Sequence, residues 1–132
     1  MRLFNAANFN QEITFFIRDW IKLLAEDKFD EACSQLSTPE DMKKNIVWDG
    51  VVLKEIFLDY CWHERMPLIN DPYLMDLQKE RIEFYEYNDG TGYAVDYDLP
   101  TDRNWGDLTA QFSFIKITDN LHHVYLNNIH VL

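Results

Sequence analysis

The side chains best placed to do chemistry in this sequence are an acidic pair, four histidines and two cysteines. Asp96 and Asp98 lie two residues apart in an alternating run. On a β-strand that spacing puts both carboxylates on one face at roughly 7 Å, which suits paired acid–base work or a cation site. Val95, Tyr97 and Leu99 fall on the opposite face. A solvated polar face backed by a buried apolar one explains the same alternation, so neither acid is assigned a catalytic role. His63, His122, His123 and His130 carry a common metal-ligating group. His122 and His130 share strand parity, yet the extended chain between them spans about 26 Å, too far for one ion. His122 and His123 are adjacent and point to opposite faces. Cys61-Trp62-His63 offers two ligands with no second compact pair to complete a tetrahedral set, so no metal site and no cofactor are expected.

Nucleophiles fare no better. There is no Gly-x-Ser-x-Gly elbow, and Cys33 has no basic neighbour in its own stretch to favour a thiolate. Cys61 has His63 and Arg65 nearby. A helix continuing past Trp62 would set Arg65 one turn from Cys61 and lower its pKa, but a buried, inert thiol is the expected state of both cysteines. Gly90 and Gly92 flank Thr91 beside a hairpin, where positive φ accounts for them without a phosphate. The leading contact region is residues 98–107, where Asp98, Asp102, Arg103, Trp105 and Asp107 crowd a connection longer than two strands need. A tryptophan exposed beside charge is a common binding anchor. The competing reading folds Trp105 over the sheet edge and uses Asp107 to cap a turn.

The elements that must hold these residues follow from periodicity. Ile13, Phe16, Ile17, Trp20, Ile21 and Leu24 recur at helical spacing after Asn10, a candidate N-cap. A short second helix is predicted from Phe29 to Leu36, a restart at Thr38-Pro39 with Glu40 and Asp41 in its first turn, and another helix capped by Asp49 and ending near Trp62. From Pro67 to Pro72 the pattern fails, and a loop is expected. The period then changes to two. Arg81 to Tyr87 and Tyr93 to Leu99 flank Asn88-Asp89-Gly90 as a hairpin, and Leu108–Thr118 and Leu121–Val131 form a second around Asp119-Asn120. The expectation is an α+β fold over residues 1–132 as one domain, with N-terminal helices packed on a curved antiparallel sheet of four or more strands.

Composition narrows the function classes. The sequence is 47% hydrophobic and 15% aromatic, far from the disordered class. Its formal charge of −11, from 23 acids against 12 basic residues, repels phosphate backbones and anionic headgroups, so neither nucleic acid nor membrane is an expected partner. The opening residues lack a basic stretch followed by a long apolar one, and two scattered cysteines make no disulfide framework, so a cytoplasmic location is expected.

The stretch Asp98-Leu-Pro-Thr-Asp-Arg-Asn-Trp-Gly-Asp-Leu-Thr-Ala-Gln-Phe, the closing Asn128-Ile-His-Val-Leu and the entry Asp27-Lys-Phe-Asp-Glu-Ala resemble small bacterial proteins of the nuclear-transport-factor-2-like, or cystatin-like, superfamily. The resemblance implies a cone in which a bent sheet wraps a long helix and leaves a pocket at its wide end. Its members include isomerases, dehydratases, transport scaffolds and immunity proteins, so fold alone assigns no activity. Two functions stay open. One is a non-catalytic binding module, such as an immunity-type protein, whose acidic face covers a basic protein partner. The other is a small-molecule or isomerase-like pocket lined by rings such as Trp20, Tyr97 or Phe112. A homodimer is a further open arrangement.

Overall fold

The structure, a computed structural model, describes residues 1–38 and 47–131. Helix α1 spans Phe9–Ala25, and its buried positions are the six read from the helical period. It starts one turn-fraction earlier than expected: Asn8, not Asn10, is the N-cap, while the Asn5 side chain caps a preceding 3-10 turn by accepting the Ala7 N–H. Asp27, at φ 60, turns the chain into α2, Phe29–Ser34. The restart at Thr38-Pro39 with Glu40 and Asp41 falls outside the described residues. Asp49 caps α3, Gly50–Tyr60, by accepting the Val52 N–H. Trp62 and His63, both at positive φ, stop α3 there, so the helix does not continue to Arg65, whose guanidinium hydrogen-bonds Asp102.

Five antiparallel strands follow the order β1-β5-β4-β3-β2, with β1 at Arg2–Leu3, β2 at Ile82–Glu86, β3 at Gly92–Thr101, β4 at Asn104–Lys116 and β5 at Leu121–Val131. Both predicted hairpins form. Gly90 takes φ 74 in the first, and a Cβ on Gly92 would fall 2.0 Å from the Phe114 carbonyl oxygen, so both glycines are structural.

Two expectations are corrected. The connection through residues 98–107 is no long loop: β3 runs to Thr101, β4 begins at Asn104, and Thr101 pairs with Asn104 across a two-residue turn. Asp102 and Arg103 supply that turn at φ 50 and 68, the left-handed pair a tight hairpin demands. Arginine is a poor residue for it. The conformation is held from outside by Asp102 N–H on the Leu68 carbonyl (2.7 Å) and Arg103 N–H on Asn70 Oδ1 (2.7 Å). In β5, Phe112 faces Leu126 and Gln111 faces Asn128, so Asn127 is an extra residue that forms a bulge. Parity flips there. His122 points into the core against Phe4 and Phe9, while His130 opposes Thr109 on the outer face, so the two do not share a face.

Helices and sheet bury one aromatic-rich core. Trp20, Tyr97 and Phe112 have no exposed surface, Trp20 meets Phe112 edge-on at 5.3 Å, and Phe4 bridges Phe16 and Phe114 at 5.9 and 5.7 Å. No described helix is long and apolar enough to cross a membrane.

Candidate functional site

The outer face of the sheet carries the polar half of the alternation. Glu83 on β2 opposes Asp96 on β3, Asp96 opposes Gln111 on β4, and Asp98 opposes Thr109. Val95, Tyr97 and Leu99 fill the inner face with no exposure. These rows make the floor of an open groove of about 550 Å³ whose charged lining is Glu83, Asp96, Asp98 and Asp107 against Arg81, with Tyr85 at its rim. Among the described residues, none of these four carboxylates forms an ion pair. Asp98 accepts from the Thr109 hydroxyl at 2.7 Å, and Glu83 accepts from the Tyr85 hydroxyl. Partial burial pushes the Asp96 carboxyl up, opposed by a hydrogen bond from Gln111 and reinforced by the charge on Glu83. A cation arriving in this groove meets carboxylates already crowded together, and its charge relieves their repulsion.

The five residues singled out in the sequence divide between this groove and its surroundings. Asp98 and Asp107 lie in it. Asp102 stands at the hairpin tip, where Arg65 makes two hydrogen bonds to it at 3.1 and 3.0 Å and the Leu68 N–H a third at 3.1 Å. The Arg65 guanidinium, with that backbone bond, holds the Asp102 carboxyl below its ordinary range. Asp102 therefore ties the 65–70 segment to the hairpin. Arg103 and Trp105 line a separate depression of about 450 Å³ with Lys79 and Leu74. Trp105 is half-buried, its Nε1–H donates to the Asp76 carbonyl at 2.9 Å, and it meets Tyr97 edge-on at 6.1 Å. The folded-back reading of Trp105 thus describes its place. Trp62, 86% exposed, is the tryptophan that stands in solvent.

Sequence reasoning set Asp96 and Asp98 together on the polar face, where the structure has them, but missed Glu83 as a member of the groove. The signal was present in the parity of Glu83, Asp96 and Asp98, but it needs the pairing register to become a site. It also missed that Glu55, Asp59 and His63 converge, with ligand atoms within 4.8 Å of one another. All three are exposed, and the His63 ring already hydrogen-bonds Asp59.

Glu80, its side chain 7% exposed, is a shielded acid outside the groove. Arg18 Nε–H donates to its Oε2 at 2.8 Å, Arg18 Nη2 to its Oε1 at 2.6 Å, and the Tyr97 hydroxyl to its Oε2 at 2.6 Å. Burial alone would raise this carboxyl. The hydrogen bonds from Arg18 and Tyr97, with the charge on Arg18, outweigh it and hold the pKa below the usual value. An acid–base carboxylate needs the opposite shift and a free oxygen, so Glu80 is a structural anchor for α1 on the sheet.

Neither cysteine is in a disulfide. Burial, helped by the charges of Asp30 and Asp49, pushes the Cys33 thiol up to about 11. Iodoacetamide at pH 8 is therefore expected to label half-buried Cys61 well before Cys33 in the folded protein. Equal labelling rates, read by peptide mass spectrometry, would contradict that burial.

A family described as a domain of unknown function, DUF7668, matches residues 21–132 of the chain. No curated protein and no solved structure matches it.

Proposed function

Because the chain belongs to the DUF7668 family, whose description carries no activity, we propose a function from its own surface: a non-catalytic binding module whose acidic sheet face takes up a basic protein partner. The observation that carries this reading is the groove lined by Glu83, Asp96, Asp98 and Asp107, four carboxylates without an ion pair among the described residues. A net charge of −11 speeds the encounter with a cationic protein, and the groove gives it somewhere to dock. An immunity-type inhibitor acting in the cytoplasm is the form this takes, and free thiols at Cys33 and Cys61 are in keeping with a reducing compartment. A helix packed on an antiparallel sheet is compatible with the nuclear-transport-factor-2-like superfamily and supports that placement. The pocket alternative loses its candidate lining, because Trp20, Tyr97 and Phe112 are consumed by packing. The acidic groove also favours a partner of opposite charge over a second copy.

Combining Asp96→Asn, Asp98→Asn and Asp107→Asn removes three of the groove's four carboxylates without touching the core. Affinity capture at low salt is expected to retain a stoichiometric basic partner on the wild type and to retain it at least tenfold less on this variant, with wild-type capture also weakening as salt is raised. A partner held equally by both, or a complex indifferent to salt, would overturn the reading.

A further inference from the structure

Strand β2 is the terminal strand of the sheet. The Asp98 N–H donates to the Arg81 carbonyl at 3.2 Å and the Tyr87 N–H to the Gly92 carbonyl at 2.9 Å. In an antiparallel pair these bonds alternate, so the odd-numbered residues of β2 turn their backbone groups toward β3. Ile82, Phe84 and Glu86 therefore hold their N–H and C=O groups away from the sheet. Among the described residues no further strand pairs with them. Side chains along β2 divide by face as well. Ile82 and Phe84 lean on the core from the inner side, half-buried, while Glu83 and Tyr85 stand at the acidic groove.

We propose that β2 accepts an extended segment of a partner protein as an added strand, with lysine or arginine at alternate positions and apolar residues between them. This rests on the acidic-groove reading and specifies how the partner lies in it. Neighbouring strands are about 4.8 Å apart. Alternate cationic side chains on the added strand fall beside Glu83, and a long side chain reaches one strand further to Asp96, which opposes Glu83. The intervening apolar residues cover the exposed margins of Ile82 and Phe84. Main-chain bonds to Ile82, Phe84 and Glu86 supply affinity, and the two faces supply selection for an amphipathic, basic strand. A second copy is disfavoured at this edge, because it would bring another net charge of −11 and its own Glu83 and Glu86 to it.

The test titrates the full chain with a synthetic peptide of alternating lysine and valine, followed by amide hydrogen exchange. Binding is expected to slow exchange at Ile82, Phe84 and Glu86. Glu86→Pro removes an outward N–H at an edge position that tolerates proline, leaving the β3 ladder in place. It is expected to weaken binding at least tenfold relative to Glu86→Gln, which removes the same charge but keeps the donor. The same peptide N-methylated at alternate amides keeps every charge and is expected to lose binding in one of its two registers, an arm that needs no variant to fold. If neither Glu86→Pro nor either N-methylated peptide changes the affinity, strand addition is wrong. Such binding, if still lost with Asp96→Asn, Asp98→Asn and Asp107→Asn, would leave the acidic-groove reading standing. No binding of the unmodified peptide also overturns the proposal, and the groove reading is then judged by its own capture experiment.

Discussion

Trp20→Ala is expected to lower the free energy of unfolding by about 3–5 kcal/mol, the range for emptying a large aromatic site in a packed interior. Trp20 has no exposed surface and meets Phe112 edge-on. Its indole N–H donates to the Ala32 carbonyl at 2.9 Å, tying α1 to α2. That carbonyl also accepts the Gln35 N–H at 3.1 Å, so it is not orphaned when the indole goes. The cost is therefore mostly lost volume, and Trp20→Phe, which restores much of that volume, is expected to cost about 1–2 kcal/mol. Urea titrations of the three proteins check this through their midpoints and slopes. A midpoint for Trp20→Ala close to that of the wild type would mean the interior is not filled as described.

Breaking the Arg18–Glu80 pair is the other large effect. With side chains 16% and 7% exposed, each partner removed alone leaves an unpaired charge, and Glu80→Ala or Arg18→Ala is expected to cost about 3–5 kcal/mol. Removing both is expected to cost less than the sum, because the stranded charge disappears with its partner. The pH dependence has a definite sign. The Glu80 carboxyl sits below its ordinary value in the folded chain, so its contribution is complete above about pH 4.5, the ordinary glutamate range. It is lost as pH falls through the lowered folded value. The stability gap between wild type and Glu80→Gln should therefore be flat from pH 8 to 6 and shrink at acid pH. A gap unchanged down to pH 3 would remove Glu80 from the account. The Arg65–Asp102 pair, 57% and 40% exposed, is expected to contribute far less to stability despite a similar geometry.

The helices were legible because their buried residues repeat at 3.6, and the two outer hairpins because alternation stops at Asn88-Asp89-Gly90 and Asp119-Asn120. The middle hairpin was hidden by its residues. Pro100 inside β3 reads as an interruption, and Arg103 at positive φ is no turn signal; both are tolerated because the 65–70 segment hydrogen-bonds to them from outside. Strand β1 is two residues long, too short for any period. The Asn127 bulge moved His130 to the other face, a change that no parity count anticipates. For the groove, local charge was enough to find Asp98 and Asp107. Strand parity set Asp96 beside Asp98, but Glu83 joined them only through cross-strand register, as Glu80 found Arg18 across 62 positions of chain.

The short β1 strand has a consequence for how the chain is made. Its partner is β5, and nearby the Ala6 N–H donates to the side chain of Asn120, 114 positions downstream. During translation the first residues leave the ribosome long before β5 exists, so β1 and the Phe4 ring have no seat until the last strand emerges. The apolar stripe of α1 faces the same wait for Phe112 and Phe114. A nascent chain thus carries the aromatic surface of β1 and α1 unsheltered until β4 and β5 emerge, and exposure of that kind favours aggregation over folding.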